Sequence, residues 1–307
     1  MLASHPRDAY NEPFPKKGNM SDTSQTVFIT GGTDGLGRAA AILLAVRGYR
    51  VFAASRSAEK RSELDKLAAG KKLPIETLEL DVCDDASVQR AVQDVLHWVG
   101  AIDVLINNAG VGYMAVIEDL RLEDLRRQFE TNVFGVLRVT QAVLPHMRER
   151  RRGRILMTSS VAGLLTPPTY GAYSSSKHAL EALSNALRLE MFPFNIEVIL
   201  SEPGYIVTNF QQTAKALAEP YIEAAKAGPY AKVYAGAWSG ADKSRRDSKS
   251  TPEDCARVIL EAIESPHPKA RYPVTPLAKW ASFGRRIFPD TLLDSFLRRK
   301  YGIHREE

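Results

Sequence analysis

Six short apolar runs recur between Val27 and Ser201, and amphipathic stretches of helical periodicity separate them. The strand-like runs are Val27–Thr30, Tyr49–Ala54, Ile75–Leu80, Val104–Asn107, Arg154–Ser159 and Ile196–Ser201. This alternation favours an α/β architecture in which a doubly wound parallel sheet carries helices on both faces. The chain has 307 residues, of which 44% are hydrophobic, so it can form one such domain with extensions at both ends. A second complete domain would not fit.

A glycine-rich turn, Thr30-Gly-Gly-Thr-Asp-Gly-Leu-Gly37, joins the first run to a helical stretch from Arg38 to Arg47. Its glycines permit positive φ and a close approach of the backbone to a pyrophosphate, which the N–H groups of a helix N-terminus attract. A tight turn that binds nothing is the alternative. The sequence contains no Gly-x-x-x-x-Gly-Lys-[Ser/Thr] motif, so a P-loop is excluded.

A second motif, Tyr173-x-x-x-Lys177, places a phenol and an ammonium group on one face of a helix. A cation about 4 Å from the phenol oxygen, at an effective dielectric constant near 20, stabilises a phenolate by roughly 4 kcal/mol. The tyrosine pKa of about 10 would then fall by about three units. We therefore expect Tyr173 to act as an acid in carbonyl reduction and as a base in alcohol oxidation. Ser160 is expected to hydrogen-bond the substrate oxygen, with Ser159 as the competing candidate.

The residues that follow the second run, Ser55 and Arg56, bear on the choice of coenzyme. An acidic side chain here would bind the ribose hydroxyls of NAD(H). A small hydroxyl followed by a guanidinium group instead suits a 2′-phosphate, which Arg binds with two charge-assisted hydrogen bonds. The pair therefore favours NADP(H) over NAD(H). A solvated surface arginine, in a basic stretch with Lys60 and Arg61, is the alternative.

The chain resembles the short-chain dehydrogenase/reductase family, most strongly over residues 26 to 210. The shared motifs are Thr30-Gly31-x-x-x-Gly35-x-Gly37, Asn107-Asn108-Ala109-Gly110, Asn132-Val-x-Gly135, Ser160, Tyr173-x-x-x-Lys177 and Pro203-Gly204-x-x-x-Thr208. The resemblance implies a Rossmann-like single domain with a C-terminal helical extension. The family's separation of thirteen residues between serine and tyrosine favours Ser160 over Ser159.

The resemblance also implies the site residues. The catalytic set is Asn132, Ser160, Tyr173 and Lys177, in which the backbone carbonyl of Asn132 would hold a water molecule that bridges toward the lysine. For Asn132, a capping or helix-kinking side chain is the alternative. The cofactor-binding set is Gly31, Thr33, Asp34, Gly35, Leu36, Gly37, Ser55, Arg56, Asp81, Val82, Asn108, Ala109, Gly110, Tyr173, Lys177, Pro203, Gly204, Ile206 and Thr208. Asp81 and Val82 would flank the adenine, and Thr208 would bind the nicotinamide carboxamide. A homodimer or homotetramer built on the helices around Asn132 and Tyr173 is expected on the same ground.

Specificity is expected to reside in residues 210–250, whose Ala-rich helical pieces and charged run suit a mobile lid over the substrate. Tyr205, Phe210 and the segment Val111–Met114 provide an apolar pocket wall for a steroid-, retinoid- or acyl-like substrate, with ordinary helix packing as the alternative. A helix through Cys255 and Ile263 and a last strand at Arg271–Thr275 complete a domain over 25–275. Residues 1–24 are expected to form a disordered tail. Glu202 is unexpected in front of Pro203, where a small or apolar residue is common.

The C-terminal extension, residues 276–307, interleaves apolar and basic side chains from Trp280 to Lys300. The pattern is compatible with a basic amphipathic helix on a membrane surface. Coverage of the substrate pocket, or packing against another subunit, is the favoured interpretation. Peripheral membrane contact is therefore the less favoured of these alternatives.

The composition limits the possible partners. A net charge of +5, from 41 basic and 36 acidic residues, does not support nucleic-acid binding. Cys83 and Cys255 show no metal-ligand or disulfide spacing, so we expect no metal and a reducing compartment. No apolar run of 18 residues and no signal-peptide core are present, and a soluble, cytoplasmic protein is expected.

The sequence therefore predicts an NADP(H)-dependent oxidoreductase that interconverts a ketone or aldehyde and an alcohol, with a small-molecule substrate. A hydroxysteroid or retinoid-like compound competes with a 3-oxoacyl compound or a small secondary-metabolite ketone as that substrate. A regulatory protein that senses NAD(P) and has lost turnover is the alternative function. The intact serine, tyrosine and lysine argue against it, because a sensor does not need all three.

Overall fold

Seven parallel strands and eleven α-helices lie in the part of the chain that the structure, a computed structural model, describes: residues 24–248 and 250–304. The strands are β1 (Thr26–Thr30), β2 (Arg50–Ser55), β3 (Ile75–Glu79), β4 (Val104–Asn107), β5 (Gly153–Thr158), β6 (Ile196–Glu202) and β7 (Arg271–Pro273). The helices are α1 (Gly35–Val46), α2 (Ala58–Lys71), α3 (Asp85–Val99), α4 (Leu122–Phe129), α5 (Gly135–Glu149), α6 (Gly171–Met191), α7 (Asn209–Ala225), α8 (Ala231–Asp247), α9 (Pro252–Glu264), α10 (Pro276–Ile287) and α11 (Asp290–Lys300). The predicted tail, residues 1–24, lies outside the described residues except for Ser24.

The strands form one sheet in the order β3-β2-β1-β4-β5-β6-β7, with every pairing parallel. The predicted doubly wound, Rossmann-like architecture is confirmed. The chain order reverses between β1 and β4, and in such sheets ligands bind at the carboxyl ends of the strands beside this point. Residues that follow β1, β4, β5 and β6 are therefore brought to the same edge.

Two apolar layers enclose the sheet because successive side chains of each strand point to opposite faces. Val27 and Ile29 of β1 belong to the layer that contains α1 and α9, whereas Phe28 belongs to the layer that contains α3 and α5. All three are fully buried. This two-sided burial explains why the strand sequences are almost continuously apolar.

The sequence located the elements well but placed some of their ends differently. The first helix begins at Gly35, not at Arg38, because the Asp34 carboxylate accepts the Gly35 N–H at 2.7 Å and caps the helix inside the glycine turn. The last strand ends at Pro273, not at Thr275, since Thr275 caps α10 by accepting the Ala278 N–H. The predicted helix after Thr251 is α9.

Residues 210–250, the predicted lid, consist mostly of α7 and α8. Ala214 and Ala218 of α7 pack with Met114, Tyr170 and Tyr173, which connects this region to the site described below. Mobility of the lid stays a prediction. None of the helices within the described residues is long and apolar enough to cross a membrane.

Candidate active site

The glycine turn after β1 forms one side of a cleft at the switch point of the sheet. Gly31 and Gly35 have φ angles of 62° and 48°, the left-handed region that favours glycine. A Cβ atom on Gly37 would lie 2.2 Å from the Gly31 carbonyl oxygen and 2.5 Å from Asn108 Nδ2, so no other residue fits there. Gly37 therefore shapes the turn without lining the cleft. The narrow backbone and the N-terminus of α1 suit a pyrophosphate group.

Asn108 holds this turn against the end of β4. Its side-chain Nδ2 donates to the carbonyl oxygens of Thr30 and Gly31, at 3.2 and 3.1 Å. The backbone N–H groups of Asn108 and Ala109 in turn donate to Thr30 Oγ1 at 3.0 and 3.1 Å. The motif that follows β4 thus stabilises the shape of the turn on the neighbouring strand.

The cleft has a volume of about 640 Å³ and brings together residues from β1 through α11. The predicted site residues that line the cleft are Gly31, Thr33, Asp34, Gly35, Leu36, Ser55, Arg56, Asp81, Val82, Asn108, Ala109, Gly110, Ser160, Tyr173, Lys177, Pro203, Gly204, Ile206 and Thr208. Gly37 and Asn132 are the two predicted residues that do not line it. The cleft also contains Lys60 and Tyr170, for which the sequence predicted no site role. It further contains Phe296, Lys300 and Tyr301 of the C-terminal extension, for which coverage of the substrate pocket or packing against another subunit was the favoured interpretation.

Ser160, Tyr173 and Lys177 meet on the inner wall of the cleft. Ser160 hydrogen-bonds Tyr173, and its Oγ accepts the Ala162 N–H at 3.1 Å. Lys177 Nζ donates to the Thr158 carbonyl oxygen at 2.7 Å and lies 5.7 Å from the centroid of the Tyr173 ring. The competing candidate, Ser159, has a buried Oγ. That atom faces Gly163, where an added Cβ would lie only 2.8 Å from it. The geometry therefore favours Ser160 as the partner of the tyrosine.

Burial dominates the ionisation of this pair. It raises the pKa of Tyr173 to about 12, and the hydrogen bond with Ser160 acts against that rise. Burial also lowers the pKa of Lys177 to about 8, with the charge of Glu181 acting in the opposite direction. The expected lowering of the Tyr173 pKa is wrong for this arrangement, because it counted the nearby cation and left out the loss of water.

Asn132 is fully buried in a π-helical turn, Glu130–Phe134, between α4 and α5. Its side chain accepts the Val111 N–H and donates to the Val111 carbonyl oxygen, both at 2.9 Å, and also donates to Ser176 Oγ at 3.2 Å. Gln128, which the sequence did not single out, donates to the same carbonyl at 2.7 Å. These amides fasten the segment after β4 to the catalytic helix α6. The water-holding role of the Asn132 carbonyl stays a prediction.

Charged side chains surround the end of the cleft near β2. Arg56 is mostly exposed, and its Nη1 lies 3.7 Å from Asp81 Oδ2. Lys60 is paired with Asp34. Burial acts to raise the Asp34 pKa, but hydrogen bonds from Lys60, Asn209 and the Gly35 backbone outweigh it and the pKa is lowered. Two cations and two carboxylates therefore face this end of the cleft, where the sequence had predicted a binding role for Arg56 and none for Lys60.

Thr208 connects the segment after β6 to the glycine turn. It caps α7 through a reciprocal pair with Gln211 and lies about 3.3 Å from where a Cβ of Gly35 would fall. The following residue, Asn209, donates to Asp34 Oδ1 at 3.1 Å. The segment thus closes over the opening of the turn.

Glu202 at the end of β6 is fully buried and pairs with Arg271 of β7 at 2.6 Å. Arg271 also pairs with Glu181 of α6, one helical turn beyond Lys177. The unexpected acid in front of Pro203 therefore belongs to an ion-pair cluster behind the active site. Its partner lies 69 residues away, so no local sequence signal could have identified it.

A nucleotide-type cradle and a Ser–Tyr–Lys set at one edge of a doubly wound sheet define this chain as an oxidoreductase with a nucleotide-binding fold. The family model for short chain dehydrogenase matches residues 25–218. The chain belongs to that family.

The similar proteins match this chain over nearly the whole length of both chains. An uncharacterised oxidoreductase of Bacillus subtilis, YusZ, is 38% identical over 277 residues, which cover 89% of this chain and 96% of the relative. The NADPH-dependent 3-dehydrocapnine reductase of Ornithobacterium rhinotracheale is 34% identical, covering 87% of this chain and 93% of the relative. A solved short-chain dehydrogenase from Streptomyces avermitilis superimposes with a TM-score of 0.71 at 29% identity, covering 92% of this chain and all of that one.

Proposed function

We propose that this chain is an NADP(H)-dependent oxidoreductase that interconverts a ketone or aldehyde and an alcohol on an apolar small molecule. The observation that carries the proposal is that Ser160, Tyr173 and Lys177 share one cleft with the glycine turn and with Arg56. A proton donor, a carbonyl-binding hydroxyl and a dinucleotide cradle thus lie together.

The cleft fits a nicotinamide dinucleotide, which would lie along the glycine turn, the β2 end and the segment after β6. When bound, this cofactor supplies hydride to the substrate carbon or accepts hydride from it. The donors available to its phosphates are backbone N–H groups of the turn and of the N-terminus of α1.

The protein's own residues handle the proton. In reduction, the Tyr173 hydroxyl donates a proton to the carbonyl oxygen, and Ser160 stabilises the charge that develops there. Lys177, held by the Thr158 carbonyl, supplies positive charge beside the phenol. Because the pKa of Tyr173 is raised to about 12, the protonated form that reduction needs prevails at neutral pH. Alcohol oxidation needs the phenolate, so it should be favoured by alkaline conditions.

The choice of NADP(H) rests on two cations, Arg56 and Lys60, at the end of the cleft near β2. A 2′-phosphate attracts both, and a guanidinium can bind it through two hydrogen bonds. The carboxylate of Asp34 opposes this attraction, but its pairing with Lys60 reduces the opposition. A relative whose name states NADPH dependence, the 3-dehydrocapnine reductase, supports the same choice.

The substrate end of the cleft is apolar, which supports a steroid-, retinoid- or acyl-like compound. Its walls include Met114, Leu165, Phe210, Trp280 and Phe296. The predicted wall residues Tyr205 and Phe210 are among the lining residues, and Phe210 packs against the Tyr173 ring at 5.6 Å between centroids. A chain of methylene groups or a fused ring would bury favourably there.

A homodimer or homotetramer is proposed on the helices around Asn132 and Tyr173. Phe134, in the π-helical turn before α5, and Leu189 of α6 are exposed apolar side chains in that region, and they support the proposal. Light scattering on a sizing column measures the assembled mass. Location in the cytoplasm stays a prediction.

The test is oxidation of NADPH and NADH, followed by absorbance, with a panel of steroid, retinoid, acyl and aromatic ketones. We expect turnover with NADPH that Tyr173→Phe abolishes. Arg56→Asp should weaken NADPH binding by about 10- to 100-fold, whereas NADH binding should stay equal or improve, because an acidic side chain here can bind the ribose hydroxyls. Lys66→Asp, on the exposed side of α2, is the matched control. Tight cofactor binding without turnover on any substrate, unaffected by Tyr173→Phe, would instead support the NAD(P)-sensing regulatory protein.

A further inference from the structure

Six large apolar side chains form an exposed stripe on α10, α11 and the residues between them. They are Trp280, Phe283, Ile287, Phe288, Leu292 and Phe296. On α10, positions 280, 283 and 287 share one helix face, and on α11 positions 292 and 296 do so. The rings of Trp280 and Phe296 pack at 5.1 Å between centroids and join the two faces. The stripe is therefore continuous across both helices.

Positive charge is concentrated in the segment that carries the stripe. The sequence from Pro276 to His304 contains six Lys and Arg residues and two Asp residues, a net +4 in a chain whose total is +5. Arg285 is paired with Asp290, whereas Arg298 and Arg299 are exposed at the end of α11. Exposed apolar side chains flanked by Lys and Arg are the pattern that binds the headgroup region of an anionic bilayer.

The stripe is also continuous with the entrance of the cleft. Trp280 and Phe296 belong to the stripe and also line the cleft, together with Leu297 and Lys300. An apolar molecule that leaves a bilayer at this point would pass between side chains of the stripe and enter the cleft. A second copy of the chain would bring the same basic groups together, which like-charge repulsion disfavours.

We propose that the stripe on α10 and α11 docks the protein on an anionic phospholipid surface, with the entrance of the substrate cleft facing the lipid. The sequence alone made this the less favoured interpretation, and the exposed stripe that continues into the cleft now favours it. The docking depends on the apolar stripe and on the surrounding basic residues. The direct delivery of substrate rests on the proposed function, but vesicle binding does not depend on it.

The experiment is co-sedimentation of the full chain with phosphatidylcholine vesicles, with and without roughly 30 mol% phosphatidylglycerol. We expect binding to the anionic vesicles that weakens with added salt, and little binding to the neutral ones. Phe283→Ser with Ile287→Ser should reduce the partition coefficient at least about tenfold, because it removes two inserted apolar side chains. Arg298→Gln with Arg299→Gln should reduce it by roughly 25-fold, at about fivefold for each charge.

Matched controls separate the stripe from exposure or charge in general. Ile117→Ser with Leu122→Ser replaces side chains that are 68% and 65% exposed, close to the 62% and 57% of Phe283 and Ile287. Arg148→Gln with Arg152→Gln removes two exposed charges elsewhere. Both controls should bind vesicles like the unchanged chain.

Three results would overturn the proposal. The first is a chain that does not sediment with either vesicle, and the second is an equal loss of binding in the controls. The third is a lower oligomeric mass in light scattering for the double variant Phe283→Ser with Ile287→Ser than for the unchanged chain. That result would show that a second copy covers the stripe in the unchanged protein. Cofactor-dependent turnover of a water-soluble ketone, measured in parallel, tests the proposed activity separately from docking.

Discussion

Replacement of Lys177 by methionine should stabilise the cofactor-free protein at neutral pH and abolish its catalysis. Lys177 is almost completely buried, and its Nζ donates to the Thr158 carbonyl oxygen at 2.7 Å. Burial lowers its pKa from 10.5 to about 8, although the charge of Glu181 acts in the opposite direction. The folded state therefore disfavours the ammonium group that catalysis needs.

The magnitude follows from the size of that pKa change. A lowering of about 2.5 units corresponds to roughly 3 kcal/mol of folding free energy lost below pH 8. Methionine is similar in length and carries no charge, but it leaves the Thr158 carbonyl without its donor at a cost of about 1 kcal/mol. Lys177→Met should therefore be more stable than the unchanged protein by about 2 kcal/mol at pH 7.

The pH dependence distinguishes this explanation from a simple packing effect. Between pH 8 and 10.5 the unfolded chain holds more protons at Lys177 than the folded chain does, so the stability of the unchanged protein rises with pH. Lys177→Met lacks that rise. Its advantage should therefore shrink across this window, vanish near pH 10 and become a deficit of about 1 kcal/mol above pH 10.5, where only the lost hydrogen bond to Thr158 remains.

Urea denaturation of the two proteins, followed by tryptophan fluorescence at equal protein concentration at about pH 7, 8.5 and 10, measures the difference. Lys66→Met on the exposed side of α2 is the control and should change little at any pH. The reasoning is refuted if Lys177→Met is the less stable protein at pH 7, or if its advantage is the same at all three pH values.

Three other predictions test the cradle, the ion-pair cluster and the proton donor. Gly37→Ala should abolish NADPH binding in a fluorescence titration, whereas Gly70→Ala, which has open space around its Cβ, should bind normally. Arg271→Met should lower the free energy of unfolding by about 3–5 kcal/mol, because it removes the guanidinium that pairs with two buried carboxylates, and Lys226→Met in the exposed pair with Glu223 should lower it by less than about 1 kcal/mol. The rate of alcohol oxidation should rise with pH above neutrality, because oxidation needs the Tyr173 phenolate and the pKa of Tyr173 is about 12. The rate of ketone reduction should stay nearly constant, because Tyr173 remains protonated over the same range. Parallel pH–rate profiles in both directions measure this, and an oxidation rate that does not rise would contradict it.

The sheet and the cradle could be predicted because their causes are local. Val27–Thr30 is apolar on both faces and is followed directly by the glycine turn, so strand, turn and helix are all encoded within about 20 residues. The meeting of Ser160 with Tyr173 could also be expected, since a strand end and the following helix bring them to one edge.

The electrostatics of the site could not be predicted in the same way. The spacing of Lys177 and Tyr173 predicts a lowered tyrosine pKa. The direction of the change in the Tyr173 pKa, however, depends on how completely the surrounding protein excludes water from both groups. That depends on the packing of α7 and α10 over the cleft, and the sequence contains no local signal for it. The same is true of Lys60, whose pairing with Asp34 joins α2 to the glycine turn.

The ion-pair cluster behind the active site connects the catalytic helix to the elements that close the cleft. Arg271 of β7 lies between Glu181 of α6 and Glu202 of β6, and it also donates to Asn185 Oδ1 of α6 at 3.2 Å. The chain runs from Arg271 to the start of α10 in five residues, and α10 and α11 then carry Trp280 and Phe296 to the cleft. The position of the apolar wall is therefore set relative to α6 by buried charges. Loss of Arg271 should for this reason disturb the substrate end of the cleft more than the glycine turn, which Asn108 holds independently.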